Sequence, residues 1–368
     1  MNKVELLAPA GDFSCLKAAI EAGCDAVYIG GKLFGARAFS SNFTDDEIIK
    51  AINYAHLFGV KVYVTTNTLI YDKEVKRFLE YILFLHKNNV DAVIIQDLGM
   101  LDLVRQTFPN LEVHASTQMH IHNLDGASFM EKLGVKRVVL ARETSISKIK
   151  EIKEKTNIDI EIFIHGALCV SYSGQCLMSS LIGNRSGNRG TCAGSCRQSY
   201  SIVDENNNII LNNKYPLSMK DLCSLENLKT LLDIGVTSLK IEGRMKSSSY
   251  VYTVVKLYRL AIDSYYKNNN IYTLTSTNGL EISEPGQSEL KFNGKFVNIL
   301  DSSNSFTYKV SDSKMESFKN LFRDLNNDGI RDEAYSEHFI ISFWANVIGN
   351  GEITTNAYVD IQKIVRDT

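Results

Sequence analysis

Short apolar runs rich in β-branched residues alternate with longer stretches whose apolar positions recur at helical spacing. The runs fall at 4–9, 26–30, 61–66, 92–96, 112–116, 137–141, 160–164 and 238–241. Each is short and apolar along its length, as parallel strands covered on both faces require. Between them, 45–57, 73–88 and 145–155 carry one apolar face and one charged face, the mark of amphipathic helices. Gly59, Gly134 and Gly235 stand just before strand-like runs, where a glycine commonly stops a helix. Eight strands with crossover helices predict an α/β fold of the (β/α)8 TIM-barrel type, allowing for irregularity. An open doubly wound sheet is the competing arrangement. No G-x-G-x-x-G turn follows 4–9, which disfavours its dinucleotide-binding form.

A barrel places its chemistry at the C-terminal ends of its strands. Those ends carry a polar set here: Asp12 after the first run, Lys32 after the second, Asn67 after the third, Gln96 and Asp97 at the end of the fourth, Gln118 after the fifth, Arg142 after the sixth, His165 after the seventh, and Glu242 and Arg244 after the eighth. Any single strand end is polar because it meets water. A complete ring, adjoining the loop described next, points to a functional mouth that binds a polar or anionic ligand.

The connection between the seventh and eighth runs, residues 167–215, is far longer than an ordinary loop. It holds Cys169, Cys176, Cys192 and Cys196 in a C-x6-C-x15-C-x3-C pattern, and Cys223 follows. From His165 to Val203 there is no acidic residue, while Arg185, Arg189 and Arg197 are present. Thiolates in a glycine-rich loop suit an iron–sulfur cluster or zinc, and the paired C-x2-C knuckles common in zinc sites are missing. Cys15 and Cys24 read as small core residues. Within the loop, 204–213 (DENNNIILNN) reads as a turn between two short strands.

Composition adds limits. The 368 residues are 44% hydrophobic with a net charge of −2, enough for a large core and without a global nucleic-acid signature. No apolar run reaches the length of a membrane span. The start lacks a secretory leader pattern. Seven clustered or scattered cysteines argue for a reducing cytoplasm and against a disulfide framework. From about residue 267 the chain turns Asn-, Ser- and Thr-rich. The barrel is therefore assigned to 1–267 and a small β-containing region to 268–368, with strands expected at 289–299 and 305–310. The stretch 324–332 (DLNNDGIRD) begins like a calcium loop, but Tyr335 occupies the twelfth position, so a solvated turn is expected.

Residues 161–179 resemble the signature E-x-F-x2-G-[SA]-[LIVM]-C-x4-G-x-C-x-[LIVM]-S of the collagenase-like family thirty-two of the U peptidases. Glu161, Phe163, Gly166, Ala167, Leu168, Cys169, Gly174, Cys176, Met178 and Ser179 fill it without departure. LLAPAG at 6–11, DAVYIGG at 25–31, ASTQMHIHN at 115–123, RGTCAGSCR at 189–197, MKDL at 219–222 and LKIEGRMKS at 239–247 match further blocks of the family. The resemblance implies one of several activities: collagenase-like proteolysis, hydroxylation of RNA, or, in a heterodimeric branch, hydroxylation of ubiquinone precursors. The RNA branch makes 5-hydroxyuridine at the tRNA wobble position or 5-hydroxycytidine in ribosomal RNA, with a 4Fe-4S cluster and prephenate. The last blocks look most like the tRNA branch. A cluster-bearing scaffold without chemistry is the other class.

The expected cluster ligands are Cys169, Cys176, Cys192 and Cys223, with Cys196 as the substitute. Arg142 and Arg244 are expected to bind the carboxylate of a small anionic co-substrate, by resemblance prephenate. Asn67 and Gln118 should line the mouth, Arg185, Arg189 and Arg197 should meet RNA phosphates, and Glu242 or His165 should move protons. A peptidase would need another apparatus. H-E-x-x-H and G-x-S-x-G do not occur, which leaves a His165–Cys169 pair as its candidate.

Overall fold

The computed structural model describes residues 3–268 and, beyond them, three short strands. Strands β1 (Glu5–Pro9), β2 (Ala26–Gly30), β3 (Lys61–Thr66), β4 (Ala92–Ile95), β5 (Glu112–Ala115), β6 (Arg137–Val139) and β7 (Asp159–Gly166) pair in sequence, all parallel. The cysteine-bearing excursion holds the hairpin β8 (Tyr200–Val203) and β9 (Ile209–Lys214), then β10 (Leu222–Cys223). Strand β11 (Ser238–Ile241) pairs in parallel with both β7 and β1 and closes the eight-stranded barrel. The open-sheet alternative is excluded by that closure.

Helices α1 (Phe13–Glu21), α2 (Asp45–Leu57), α3 (Val75–Lys87), α4 (Leu98–Thr107), α5 (Leu124–Lys132) and α6 (Ile146–Lys155) form the outer layer. Short α7 (Met178–Gly183) lies in the excursion, and α8 (Leu228–Ile234) and α9 (Ser248–Asn268) complete the set. Local signals set the start of α2: Thr44 and Glu47 form a reciprocal capping box at its first turn. Gly59, Gly134 and Gly235 all adopt positive φ, as their places predict. On α9, Val251, Val254, Val255, Tyr258, Ala261 and Ile262 are buried at helical spacing, and the helix packs against α1 across the closure.

Four strands, β1, β4, β5 and β6, are shorter at one end than their apolar runs, and β7 is longer than its run. The Leu140 amide still donates to the Glu161 carbonyl (2.9 Å), but that of Ala141 turns to Ile121, so β6 stops at Val139. Ser116 leaves β5 to cap the turn Thr117–Met119. The 204–213 turn is present, its Asp204 carboxylate accepting from the amides of Asn206 and Asn208 (2.9 and 2.8 Å). After it, β10 runs antiparallel to the end of β7, with Cys223 opposite His165. Cys15 and Cys24 are buried as expected.

Strands β12 (Thr307–Lys309), β13 (Asn346–Ile348) and β14 (Glu352–Thr354) form an antiparallel sheet in the order β12–β14–β13. The 305–310 strand overlaps β12. The 289–299 strand and the 324–332 turn lie outside the described residues. Among the described residues no helix is long and apolar enough to cross a membrane.

Candidate functional site

The barrel interior carries ions as well as apolar side chains. Leu7, Ala26, Tyr28, Tyr63, Ala92 and Ile94 form its inner apolar cluster. Beside them, Arg137 Nη1 pairs with Glu5 Oε1 (2.5 Å) and Glu161 Oε2 (3.2 Å), and Lys240 Nζ pairs with Glu161 Oε1 (2.8 Å). Burial pushes the Glu161 carboxyl up, but Lys240 and Arg137 override it and bring it down to about 2. A buried carboxylate satisfied on both sides holds Lys240 in place, and Lys240 lines the cavity above.

That cavity, about 280 Å³, opens at the C-terminal ends of the strands, and the cysteine excursion forms one wall. Glu242, just past β11, accepts from Arg37 Nη2 and Arg142 Nη2, each at 3.2 Å. Burial raises its carboxyl, and Arg37, Arg142 and Arg244 together pull it down to about 2. The side chain is therefore a fixed anion at neutral pH that orients guanidinium groups. Its low carboxyl pKa and its two guanidinium partners suit it to positioning more than to the expected proton transfer. The Arg142 guanidinium also lies 4.4 Å from the centroid of the Phe163 ring.

Arg244 is 4% exposed, and its Nη1 donates to Asn42 Oδ1 (3.4 Å). Burial lowers its pKa to about 10, so it stays charged near neutrality. Among the described residues no carboxylate lies within ion-pair distance of it. A Cβ at Gly30 would stand 1.8 Å from its Nη1, so the end of β2 must be glycine for the side chain to cross there. Asn67 and Gln118 complete this side: Asn67 Nδ2 donates to Gln118 Oε1 (3.0 Å), and Asn67 Oδ1 accepts from the Ala36 amide (3.1 Å).

His165 does not line the cavity. Lys240 pairs with Phe163 but Ile241 pairs with His165, a bulge that turns the ring toward α9. There it packs against Tyr250 and Tyr258, with Nδ1 3.4 Å from the Tyr258 hydroxyl and Nε2 buried without a partner. Burial, aided by Lys246, lowers its pKa to about 4. The neutral ring is a packing group. The expected proton transfer and the His165–Cys169 pair are not supported by this placement.

Of the thiols, Cys169, Cys176, Cys192 and Cys196 line the cavity; Cys223 does not. Burial and then the neighbouring Cys169 raise the Cys196 thiol, with Cys192 adding to the effect. Cys192 Sγ accepts from the Gly194 amide (3.4 Å). Cys223 sits in β10 with Sγ 4.0 Å from the Tyr258 hydroxyl. The barrel thus brings the substitute, Cys196, to the common wall and leaves Cys223 behind it. Among the described residues no three Cys, His, Asp or Glu side chains converge tightly enough for one metal ion. A cluster asks for a wider cage, because each thiolate binds a different iron, whereas zinc gathers four ligands on one atom. Four thiols around a shared cavity fit the cluster better.

The three loop arginines divide. Arg197 lines the cavity and braces the excursion, its Nη1 donating to Ser218 Oγ (2.8 Å) and the Met219 carbonyl (2.7 Å), and its Nη2 to the Leu168 carbonyl (2.7 Å). Arg189 is bidentate to Glu74 (2.7 and 2.8 Å) and lies over the Tyr71 ring, so its charge ties the excursion to the start of α3 and is not free for phosphate. Arg185 is exposed, over Phe39, away from the cavity. Arg37 and Lys240 escape the reading of strand ends. Arg37 comes from the β2–α2 loop, and Lys240 lies inside a strand. A lysine within an otherwise apolar strand was the legible sign of the second.

The sequence profile of peptidase family U32 matches residues 11–294. The chain is 44% identical over 270 residues to tRNA hydroxylation protein P1 of Bacillus subtilis (strain 168), covering 72% of this chain and 64% of that protein. It is 44% identical over 263 residues to a 23S rRNA 5-hydroxycytidine synthase of Escherichia coli (strain K12), covering 72% and 40%. It is also 44% identical over 273 residues to an uncharacterized protease of Methanocaldococcus jannaschii, covering 72% and 66%. The chain thus spans less than two thirds of the length of each of these relatives.

Proposed function

The chain belongs to peptidase family U32, and from that membership we propose that it hydroxylates RNA with an iron–sulfur cluster, acting on the tRNA wobble uridine. The observation that carries this reading is the cavity itself: Arg37, Arg142, Arg244 and Lys240 line one space together with Cys169, Cys176, Cys192 and Cys196. Relatives named for tRNA hydroxylation and for 5-hydroxycytidine synthesis support the reaction class. The MKDLC and KIEGRMKS blocks favour tRNA over ribosomal RNA as the substrate.

The four wall thiols would hold a 4Fe-4S cluster, which supplies electron-transfer chemistry when bound. The protein's own part is positioning. Glu242, held ionised, sets the Arg37 and Arg142 forks. Arg244, charged and without a carboxylate partner among the described residues, offers bidentate contacts to a small anionic co-substrate, for which prephenate is our candidate. A target base must leave its stack to reach such a cavity, which an unpaired anticodon-loop base does at little cost. Proteolysis, the activity in the names of two relatives, is the weaker reading: among the described residues no histidine lines the cavity beside its thiols.

Deleting the gene and digesting tRNA and ribosomal RNA separately to nucleosides tests the proposal by mass spectrometry. Hydroxylated uridine should disappear from tRNA. Loss from ribosomal RNA alone would move the substrate, and unchanged nucleosides in both would refute RNA hydroxylation.

A further inference from the structure

Beside the cavity, three rings form a ladder that the proposed chemistry leaves unused. The rings of His120 and His122 stack with centroids 4.5 Å apart and planes 28° apart. Those of His120 and Tyr172 lie 5.5 Å apart at 31°. Burial does not account for this contact, since Tyr172 is 66% exposed and His122 is exposed as well. The middle ring is held on purpose-built supports. His120 adopts the left-handed backbone (φ 59°, ψ 38°), a conformation that costs a non-glycine residue and persists only where its surroundings impose it. Its Nε2 meets Glu143 Oε1 (3.0 Å). The same carboxylate accepts from the Ser173 amide and hydroxyl, both at 2.9 Å, which fixes the turn carrying Tyr172. His122 Nδ1 meets the His120 carbonyl (2.8 Å), which sets the third ring. Tyr172 itself lines the cavity, so the ladder runs without a break from the cavity wall to solvent.

We infer that this ladder is a stacking platform for an unpaired RNA base next to the one that enters the cavity, an inference that rests on the RNA reading above. Proteins that grip single-stranded loops stack unpaired bases on aromatic and histidine rings, and the contact tolerates any base because each has a planar face. Rings inclined by only 28° and 31° to one another, with an exposed end, match a planar base better than the varied side chains of a polypeptide. Arg142 and Arg197 line the same cavity as Tyr172, so positive charge stands near the inner end of the ladder.

Anisotropy titrations of the full chain decide the matter, with three labelled probes: a short RNA hairpin with an unpaired loop, a fully paired RNA duplex of equal length, and a gelatin peptide. Wild-type protein should prefer the hairpin. Tyr172→Ala should weaken hairpin binding by about tenfold, within the range of one base–aromatic stack, and leave duplex binding unchanged. Tyr172→Phe should retain wild-type affinity, and His122→Ala, at the other exposed end, should weaken the hairpin in the same direction. If wild type prefers the hairpin and neither alanine variant loses affinity, the ladder is refuted while the RNA reading stands. If wild type shows no preference for the hairpin, both fall. Loss of gelatin-peptide binding in Tyr172→Ala, with the hairpin unaffected, would make the partner a protein and overturn the inference.

Discussion

Arg244 keeps a full charge beneath the surface with Asn42 as its side-chain contact, an arrangement that desolvation opposes. Replacing such a group with an apolar one of similar reach relieves that cost. Arg244→Met should therefore leave the thermal midpoint unchanged or raise it by a few degrees, about 1–2 kcal/mol, while tRNA hydroxylation in complemented deletion cells is lost. A strongly destabilised variant would mean that the guanidinium is a structural brace. His165 carries a different signature. Its buried ring titrates near 4 in the fold, below its ordinary 6.5, so the unfolded chain takes up a proton that the native state refuses between those values. Stability is then complete above 6.5 and falls as the pH drops toward 4, by at most about 1.4 kcal/mol per pH unit. His114, also lowered first by burial, adds to the same slope. Urea unfolding across this window should show His165→Gln losing part of the slope, and an unchanged slope would contradict the buried neutral ring.

Among the elements, the excursion between β7 and β11 is held by a few discrete ties. Arg189 grips Glu74, the Leu69 amide donates to the Asn188 carbonyl (3.0 Å), and the Ala38 amide to the Gly190 carbonyl (3.1 Å). These fasten the cysteine loop to the connections after β2 and β3. An ion pair with both partners about a quarter exposed contributes about 1 kcal/mol at most, so Arg189→Ala should barely move the global melting point. It should instead speed proteolytic cleavage within residues 167–215. The swap Arg189→Glu with Glu74→Arg should restore part of the protection, and equal cleavage in all three proteins would refute the tie. Gly174 belongs to the same system: its φ is +74°, and a Cβ there would stand 2.0 Å from the Gln118 carbonyl oxygen, so the excursion can approach the β5–α5 connection only with glycine at that turn.

For the molecule as a whole, the proposed cluster would join the excursion to the barrel mouth, and metal loading should register as folding stability as well as colour. Cys169→Ser, Cys176→Ser and Cys192→Ser should each lose iron and the brown absorbance. Cys196→Ser should do the same, while Cys223→Ser, behind the cavity wall, should retain most of its iron. Iron retained in Cys196→Ser and lost in Cys223→Ser would show that the loop rearranges on loading, and iron retained in all five would remove the cluster from the proposal.

The repeated alternation of strand and helix was legible because periodicity and capping act over a few residues. The predicted helix 45–57 coincides with α2, where an apolar stripe and a Thr44–Glu47 box agree. The thiol-rich loop and the polar strand ends were legible for the same reason, since each is written in contiguous text. Which charges meet was decided only by closure. Arg37 and Glu242 are 205 positions apart and pair because β2 and β11 both flank β1. Arg189 is withdrawn from the expected anion site by Glu74, His165 is turned away by one bulge, and Cys196 lines the cavity in place of Cys223 because β10 pairs along the end of β7. Local preferences determine what each segment becomes, but the partner of a buried charge or a thiol is whatever the closed barrel brings within a few ångströms. That distance depends on strand order, register and bulges, which no single segment encodes.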